Sequence, residues 1–290
     1  MLLKPGTPTR AIARQLRSAG VIRSWPAFVL WHYWKLTPLK AGEYRFAAPA
    51  DAIDVHRRLA RGDVVTHTVV IPEGFNIWEI AAAIEQAGLG PRQDFLKIAQ
   101  SDTALVSDLD PQASSLEGYL FPDTYQFTRT QTMREMAEAM VRRFRQEAKR
   151  IGLSGDVHRI VTVASIVEKE TAAPEERATV AGVYYNRLAK KMALDADPSV
   201  IYAALLEGSY RGQVHTDLAS DSPYNTYKFR GLPPGPIANP GAAALLAAMH
   251  PAQTDYLYFV SDNNGHHRFA RTEAEHEHNV ALYRREQAGR

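Results

Sequence analysis

Apolar residues recur at helical spacing in two stretches of the chain that resemble each other. The first is GTPTRAIARQLRSAGV, residues 6–21, and the second is GFNIWEIAAAIEQAGL, residues 74–89. In each stretch, apolar residues four positions apart form one face and a glycine follows, which predicts a loop and then a helix ending at a left-handed residue. The matched positions are Gly6 with Gly74, Ile12 with Ile80, Ala13 with Ala81, Leu16 with Ile84, Ala19 with Ala87, and Gly20 with Gly88.

Short segments of β type accompany these two predicted helices. The segment AGEYRF, residues 41–46, follows the first helix, and HTVVIPEG, residues 67–74, precedes the second. The pattern predicts two small α+β modules, residues 1–64 and residues 65–108. Each module is too small to bury much apolar surface alone, so we expect them to pack together.

Residues 109–290 are predicted to be mainly helical around one apolar helix. That helix is DVHRIVTVASIVEKET, which starts at about Asp156. A hairpin is predicted around Asn264-Gly265. Further helices are predicted over about residues 131–150, from Pro174, over residues 197–207 with Asp197 as N-cap, and after the capping box formed by Thr272 and Glu275. The fold class that follows is α+β.

Composition and charge narrow the classes of protein. The 290 residues are 45% hydrophobic and 23% charged, which is typical of a globular protein, and the formal net charge is only +2. A basic run from Arg142 to Arg150 is most simply a solvated helix face, so we expect no nucleic-acid partner. The absence of cysteine excludes disulfides and thiolate metal sites. No signal peptide is visible, and the apolar run 27–34 is too short to span a bilayer. The chain as given is therefore expected to be soluble, with a lost N-terminal segment as the alternative.

Two carboxylates, Glu168 and Glu170, end the apolar helix and are candidates for chemistry. A helix turns by about 100° per residue, so residues two apart point to nearly opposite sides and do not easily act as a pair on one bond. Both lie at the edges of the apolar stripe, and their angles do not choose between them. The plain alternative is that both are surface carboxylates, paired with Lys169 or Arg177.

The loop from residue 222 to residue 241 is the second candidate. It is long for a segment without regular structure, and such loops are often functional. Its YNTY stretch, residues 224–227, offers an amide and phenol rings that suit sugars, while prolines stiffen the following GLPPGPI. A rigid structural crossover is the alternative. The HEHN stretch, residues 276–279, lacks zinc spacing, and no phosphate-binding or dinucleotide-binding motif occurs, so we expect neither a metal nor a cofactor.

Six ordered motifs across residues 116–270 together resemble a known family. They are LEGYLFPDTY, ASIVEKET, ERATVAGVYYNRL, LDADPSVIYA, YNTYKFRGLPPGPIANPG and HPAQTDYLYFVSDNNGHHRF. This part of the chain resembles the MltG, or YceG-like, family of endolytic murein transglycosylases. The resemblance implies that VVIPEGFNIWEIAAAI belongs to a LysM-like subdomain over residues 65–108, and that residues 109–290 form a lytic transglycosylase domain.

The resemblance also implies a reaction. Members of the family cut the β-1,4 bond between N-acetylmuramic acid and N-acetylglucosamine within nascent glycan strands, which terminates elongation and leaves a 1,6-anhydro-muramyl end. One carboxylate suffices, because the C6 hydroxyl of the sugar itself attacks C1. The second glutamate of the motif, Glu170, followed by Thr171, matches the catalytic position. The implied substrate-binding residues are Glu168, Asn186, Asp197, Tyr224, Asn225, Thr226 and Tyr227.

Partners and placement follow from the same resemblance. The implied partners are peptidoglycan glycan strands and the peptidoglycan synthases known as penicillin-binding proteins. The implied location is the extracytoplasmic face of the cell membrane, reached through an upstream membrane helix outside this chain. We also expect the loop 222–241 to form one wall of the glycan cleft, with the Asn225 amide facing an N-acetyl group or Glu170. A non-catalytic peptidoglycan-binding scaffold and a lysozyme-type muramidase stay open as alternatives.

Overall fold

The computed structural model describes residues 1–210, 212, 218 and 220–288. The chain divides into two compact units, the first comprising Met1–Val70, Ala82–Arg92 and Thr124–Met136, and the second Ile71–Ala81, Gln93–Asp123 and Ala137–Arg290. The helices are α1 Thr9–Ser18, α2 Trp25–Lys35, α3 Ala52–Arg61, α4 Ile77–Gln86, α5 Arg92–Ser101, α6 Met133–Ile151, α7 Val157–Glu170, α8 Arg177–Ala189, α9 Asp197–Glu207, α10 Ala242–Met249 and α11 Glu273–Ala288. The strands are β1 Leu2–Leu3, β2 Gly42–Glu43, β3 His67–Val70, β4 Thr124–Phe127, β5 Tyr258–Ser261 and β6 His267–Ala270.

The first unit combines helices with two short antiparallel strand pairs. Strand β1 pairs with β2, and β3 pairs with β4 so that His67 lies opposite Phe127. A core that includes Leu16, Phe28 and Leu59 joins α1, α2 and α3. The mixture of helices with small sheets confirms the α+β class, whereas the predicted division into residues 1–64, 65–108 and 109–290 stays a prediction.

The repeated loop–helix pattern is present in both of its predicted places. Helix α1 is followed by Gly20 at φ +71°, and α4 is followed by Gly88 at φ +69°. A side chain is strained in this left-handed region, which is why glycine ends both helices. None of the helices among the described residues is long and apolar enough to cross a bilayer.

The second unit is built around α7, as its continuous apolar run predicted. Every side chain from Val161 to Val167 is buried, and α7 packs against α8, α9 and α10. Asp156 caps the helix by accepting a hydrogen bond from the Arg159 backbone N–H at 3.0 Å. A helix buried along this length holds its last residue, Glu170, in a fixed position.

The predicted bounds of α9 are correct, but its predicted cap is wrong by one residue. The N-cap is Ala196, whose extended backbone donates its N–H to Thr226 Oγ1 at 3.0 Å. This bond fixes the helix start at Asp197. The Asp197 side chain instead accepts a hydrogen bond from the Tyr227 hydroxyl.

The C-terminal hairpin and helix largely follow the sequence pattern. Strands β5 and β6 pair with Ser261 opposite His267, so the connection is five residues long rather than the two-residue turn first expected. Its left-handed residues are Asn263 at φ +62° and Gly265 at φ +90°. The predicted capping box of α11 is confirmed, since Thr272 Oγ1 accepts from the Glu275 N–H while the Glu275 carboxylate accepts from the Thr272 N–H.

The basic run on α6 pairs with acidic residues of the same unit. Arg143 Nε donates to Asp123 at 2.6 Å, and Arg145 binds the Asp108 carboxylate at 2.7 Å. These pairs fit the interpretation of the run as part of a solvated face. The segment between α9 and residue 222 lies partly outside the described residues, but the predicted loop 222–241 is fully described and contains no helix or strand.

Candidate active site

Glu170 lies where the buried α7 helix ends and the chain turns away. The next residue, Thr171, has extended backbone angles, and its hydroxyl oxygen accepts a hydrogen bond from the Ala173 N–H at 3.1 Å. The Thr171 side chain is thus part of the turn that ends the helix. This turn leaves the Glu170 carboxyl at the rim of the apolar core, where it is partly buried.

A cavity of about 460 Å³ opens in front of Glu170. Its volume lies within the range of small-ligand pockets, about 300–1,000 Å³. Its walls come from the end of α7, from α8, from the start of α9, from the 222–241 loop, from β5 and from α11. They are formed by Glu170, Tyr184, Arg187, Leu194, Asp195, Asp197, Tyr227, Tyr258, Phe259, Val260, Glu273, His276, Glu277 and Val280.

The Tyr184 hydroxyl donates a hydrogen bond to Glu170 Oε1 at 2.8 Å. Tyr184 is fully buried in α8, with its ring edge-on to Phe259 at 6.0 Å. The packing fixes the phenol, and the phenol fixes the carboxyl. The other oxygen, Oε2, has no hydrogen bond to the described residues and is the one available to a ligand.

Burial raises the pKa of Glu170 to about 7, from an ordinary value of 4.5. The Tyr184 hydrogen bond opposes that shift, the negative charge of Asp197 adds to it, and Arg187 again lowers the pKa. A carboxyl with a pKa near 7 is present in both protonation states at neutral pH. It can therefore donate a proton and later accept one.

Arg187, three residues after Tyr184 on the same helix, ties the cavity wall together. Its guanidinium donates to the carbonyls of Ala193, Leu194 and Leu257 at 2.6–3.1 Å and to the Asp195 carboxylate at 2.8 Å. Because its donors are directed at the protein backbone, its main contribution is to join the segment before α9 to the segment before β5. It is also the one Lys or Arg side chain among the residues that line the cavity.

Tyr227 and Asp197 form a second hydrogen-bonded pair in the cavity wall. The Tyr227 hydroxyl donates to Asp197 Oδ1 at 2.7 Å, and both residues are exposed. The phenol group is nevertheless partly shielded from solvent, and this shielding, with the neighbouring Asp197 carboxylate, raises the pKa of Tyr227, so this tyrosine stays neutral. The pair joins the 222–241 loop to the start of α9 and presents both polar groups to the cavity.

Glu168, two residues before Glu170, is held in a different environment. Its Oε2 accepts from the Gly241 N–H at 2.9 Å, at the N-terminus of α10, and its Oε1 lies 3.4 Å from the Arg177 guanidinium. The site around Gly241 is tight, because an added Cβ would lie 1.8 Å from Glu73 Oε1. Both oxygens of Glu168 are thus bound within the protein, and the residue does not line the cavity.

The other predicted binding residues lie outside the cavity wall. Asn225 is fully buried, with its amide hydrogens donated to the carbonyls of Leu218 and Ser220 at 2.9 Å and its Oδ1 accepting from the Tyr227 N–H. Thr226 pairs with Ser199 at 2.8 Å. The Asn225 amide is thus committed to its own loop, and the expected contact with Glu170 is not among its hydrogen bonds. Its role in substrate binding stays a prediction.

Asn186 and Tyr224 are likewise engaged within the second unit. The Asn186 amide donates to the carbonyls of Thr254 and Tyr256 at 2.7 and 3.0 Å. Tyr224 packs against the Tyr202 ring at 5.0 Å. Their predicted contacts with substrate also stay predictions.

Several residues of the cavity wall were absent from the sequence interpretation. Tyr184 and Arg187 lie three apart on α8 and so share a face, while the predicted Asn186 points elsewhere. On α11, Glu273, His276 and Glu277 also share a face by the same spacing. Helical spacing alone would have grouped each set, but nothing in the sequence showed which face met Glu170.

The described residues contain no group of three or more His, Asp or Glu side chains arranged to hold a metal ion. His276 stacks on Tyr258 at 5.1 Å, and His267 accompanies the Glu176 carboxylate at 2.7 Å. The side chains that line the cavity can supply acid–base and electrostatic chemistry. The groups placed for it are the Glu170 carboxyl, the Tyr184 and Tyr227 phenols and the surrounding carboxylates.

Known proteins share both the sequence and the fold. The sequence model of the YceG-like family matches residues 1–282. The endolytic murein transglycosylase of Bacillus subtilis (strain 168) is 35% identical over an alignment of 297 residues, gaps included, which covers 93% of this chain and 81% of that protein. The protein of the same name from Streptococcus pneumoniae serotype 2 (strain D39) is 32% identical, covering 95% of this chain and 56% of that protein. The crystal structure of a YceG-like protein from Listeria monocytogenes aligns with a TM-score of 0.63 at 32% identity, covering 96% of this chain and 97% of that one. The family predicted from the motifs is confirmed, and the chain belongs to the YceG-like family.

Proposed function

We propose that this protein is an endolytic murein transglycosylase, a lyase that cuts the β-1,4 bond between N-acetylmuramic acid and N-acetylglucosamine within glycan strands. The observation that carries the proposal is Glu170. It is a partly buried carboxyl with a pKa of about 7, held by Tyr184 at one oxygen and open to a cavity at the other. The names of the relatives from Bacillus and Streptococcus support the same reaction.

Glu170 is the general acid of the first step. Its protonated carboxyl gives its proton to the glycosidic oxygen as the bond from that oxygen to C1 breaks, which avoids an alkoxide leaving group. Tyr184 keeps Oε1 occupied and thereby directs Oε2 toward the cavity. The raised pKa keeps a useful fraction of the acid protonated at neutral pH.

The same residue is the general base of the second step. The oxygen of the C6 hydroxyl bonds to C1 of its own sugar, and the hydroxyl proton returns to the Glu170 carboxylate. The products are a 1,6-anhydro end and a free hydroxyl on the departing sugar, without uptake of water. Because the attack is intramolecular, high effective molarity replaces the water and second carboxylate that a hydrolase positions.

The acidic wall of the cavity stabilises the charge that develops between these steps. The reacting sugar passes through an oxocarbenium-like state with positive charge near C1. Four carboxylates besides Glu170 line the cavity, against the single guanidinium of Arg187, and fixed charges of this kind act where the charge appears. They are Asp195, Asp197, Glu273 and Glu277.

The predicted binding residues take two kinds of role in this proposal. Tyr227 and Asp197 face the cavity and contact the sugar directly. Asn225 shapes the loop that carries Tyr227, since its Oδ1 holds the Tyr227 N–H at 3.1 Å. Thr226, Tyr224, Asn186 and Glu168 hold the surrounding segments in place.

The arrangement of the whole chain is part of the same proposal. We assign residues 1–64 to an N-terminal α+β module, residues 65–108 to a LysM-like subdomain that binds peptidoglycan, and residues 109–290 to the catalytic domain. The protein acts on nascent strands at the extracytoplasmic face of the cell membrane, beside peptidoglycan synthases, and so ends strand elongation during cell-wall biogenesis. The family resemblance supports each of these assignments.

Digestion of purified murein, followed by mass spectrometry of the fragments, tests the reaction. A lytic transglycosylase gives internal fragments with 1,6-anhydro-muramyl ends, which are one water lighter than hydrolysis products. Reducing ends instead would show a muramidase, for which Asp197 in the same cavity is the candidate second carboxylate. Binding to murein without any fragments would show a scaffold. A Glu170→Gln variant, prepared in parallel, excludes a contaminating enzyme.

A further inference from the structure

The outer face of helix α2 is apolar throughout. Residues 26, 27, 30, 33 and 34 share this face by helical spacing, and all five are exposed. They are Pro26, Ala27, Leu30, Tyr33 and Trp34. The exposed fractions are 74% for Leu30, 56% for Tyr33 and 67% for Trp34, and Leu36, just after the helix, reaches 76%. We call these six residues the α2 apolar face.

A helix in this position normally carries polar residues outward. The opposite side of α2 already packs in the core of the first unit through Phe28 and Val29. A helix that is apolar all round is usually buried, and contiguous exposed apolar patches mark interaction sites. The α2 apolar face is left uncovered by the described residues and is therefore a candidate surface for an external partner.

The charge around this face identifies the chemistry of the partner. Residues 1–64 carry eleven Lys and Arg against four Asp and Glu, a net charge of +7, whereas the net charge of the whole chain is +2. Helix α1, which packs beside α2, exposes Arg10, Arg14 and Arg17 along one side. Arg14 lies 5.4 Å from the centre of the Trp25 ring, so the basic side of α1 reaches the start of α2.

A lysine lies within the aromatic cluster itself. Lys35 Nζ lies 4.3 Å from the centre of the Trp34 ring and 5.3 Å from that of Trp31. Exposed Trp and Tyr rings beside a long cationic side chain are typical of groups at a membrane interface. There the rings lie at headgroup level while the ammonium group reaches water and phosphate.

We propose that the α2 apolar face, with the basic side of α1, docks on the surface of an anionic lipid bilayer. Leu30, Tyr33, Trp34 and Leu36 enter the boundary between headgroups and acyl chains, and Arg10, Arg14, Arg17 and Lys35 meet the lipid phosphates. This contact belongs to the folded first unit and needs no membrane-spanning helix. It would hold the unit at the surface where new glycan strands are exposed.

The same observations argue against two other occupants. A glycan strand uses aromatic rings but gains little from the aliphatic Leu30 and Leu36. A second copy of the chain would bring two such charges together. An anionic lipid surface satisfies the apolar and the cationic parts at once, because basic residues near such a surface are attracted to its negative charge.

Vesicle binding tests the proposal with the whole chain. Three of the four tryptophans, Trp25, Trp31 and Trp34, lie in α2, so tryptophan fluorescence reports directly on this helix. We expect a blue shift and co-sedimentation with vesicles of phosphatidylethanolamine containing about one-third phosphatidylglycerol, and much weaker binding to phosphatidylcholine. Binding should fall as salt is raised, because exposed charges are then screened.

Variants separate the apolar part from the charged part. A triple variant, Leu30→Ser with Tyr33→Ser and Trp34→Ser, should weaken vesicle binding at least 10-fold. The single variant Leu30→Ser, at the most exposed of these three positions, should weaken it about 3-fold with unchanged thermal stability. Arg10→Gln with Arg14→Gln and Arg17→Gln should weaken binding at low salt and flatten its salt dependence. Leu206→Ser, on α9 and 45% exposed, is the matched control and should bind as the wild type does.

Four results would overturn the proposal. The first is that the wild type does not bind anionic vesicles, and the second is that Leu30→Ser and the triple variant bind them as well as the wild type does. The third is that the triple variant loses binding to purified murein sacculi but not to vesicles. The fourth is that light scattering shows a wild-type dimer that the triple variant converts to a monomer. The last two would assign the face to a glycan or to a second copy of the chain.

Discussion

Glu170 and Glu117 are both carboxyls of the second unit whose pKa is raised by burial, yet their surroundings differ. Burial raises the pKa of Glu117 to about 8, but both of its oxygens are bound, one by the Ile77 N–H at 3.0 Å and the other by the Asn239 amide at 2.7 Å. Glu170 has one oxygen bound and the other open to a cavity. A raised pKa alone therefore does not identify a catalytic acid; the free oxygen and the space beside it do.

Glu117 has a structural role. It joins the start of α4 to Asn239, which in turn accepts from the Leu120 N–H and donates to the Phe75 carbonyl. Glu117 is a buried junction between segments distant in sequence, and buried polar groups of this kind are costly to leave unpaired. Glu168 is a junction of the same kind, at the N-terminus of α10.

The largest expected effect is on turnover. Glu170→Gln should lower kcat on murein by about 10³-fold or more, because the amide has nearly the same shape but cannot transfer a proton. Glu168→Gln keeps an oxygen that can accept from the Gly241 N–H, and it should retain kcat within about 10-fold. The measurement is the rate of anhydro-muropeptide release, with circular dichroism to check the fold. If Glu168→Gln were slower than Glu170→Gln, the general acid would be Glu168 and the assignment to Glu170 would be wrong.

The next effect is on stability against pH. The folded-state pKa of Glu170 is about 7 and its ordinary value is 4.5, so the folded state keeps a proton that the unfolded chain releases. This residue's contribution to stability is present below pH 4.5 and is lost as pH rises to about 7. Glu170→Gln cannot ionise and so avoids this loss of stability. The free energy of unfolding of the variant should exceed that of the wild type by up to about 3 kcal/mol at pH 8 and should differ little from it at pH 4.5.

Urea unfolding at both pH values measures this difference in unfolding free energy between Glu170→Gln and the wild type. Glu175→Gln, at an exposed position outside the cavity, is the control. Glu168→Gln would not serve, because burial raises the pKa of Glu168 as well. If the Glu170→Gln gap were the same at pH 4.5 and pH 8, the carboxyl would have an ordinary pKa in the folded protein.

A smaller effect on stability is expected at Glu117, the carboxyl whose two oxygens are both bound within the protein. Glu117→Gln replaces two acceptor oxygens by one oxygen and one NH₂ group, which opposes either the Ile77 N–H or the Asn239 amide. The variant should lose about 1–3 kcal/mol of unfolding free energy at pH 7 while kcat stays within about 3-fold. Urea unfolding and the murein assay together check this. A loss of turnover with full stability would contradict the assignment of Glu117 as a structural junction.

The smallest effects are shifts of the pH profile in opposite directions. Tyr184→Phe removes a hydrogen bond that lowers the pKa of Glu170, so the alkaline limb of kcat/KM should move to higher pH. Asp197→Asn removes a negative charge that raises this pKa, so the limb should move to lower pH. Shifts of the two variants in the same direction would show that the limb belongs to another group.

The sequence predicted the elements whose local pattern is strong. Helix α7 follows from its apolar run and Asp156 cap, and α11 from its capping box, since both signals lie within a few residues. Helix α2 was not predicted as a helix, because a segment apolar on every side shows no period. In the folded protein that same absence of a polar side leaves apolar residues exposed.

The candidate site was predicted only in part, because some of its contacts depend on how helices pack rather than on a local sequence pattern. The resemblance pointed to Glu170, Asp197 and Tyr227, which line one cavity. Tyr184 was missed because its contact with Glu170 depends on how α8 packs on α7, which no local pattern specifies. Asn225 was expected in the cleft, but a short amide in a loop readily bonds the nearby backbone, and it does so here.

Titration of Glu170 shows whether this single cavity-facing carboxyl carries a proton near neutral pH, as the proposed reaction requires. With ¹³C-labelled glutamate, the Glu170 side-chain carboxyl resonance is the one absent from Glu170→Gln, and the Glu117 resonance is assigned in the same way from Glu117→Gln. We expect midpoints of about 7 for Glu170 and about 8 for Glu117. A Glu170 midpoint near the ordinary value of 4.5 would mean an ionised carboxylate at neutral pH, which cannot act as the general acid, and the proposed role of Glu170 would be wrong.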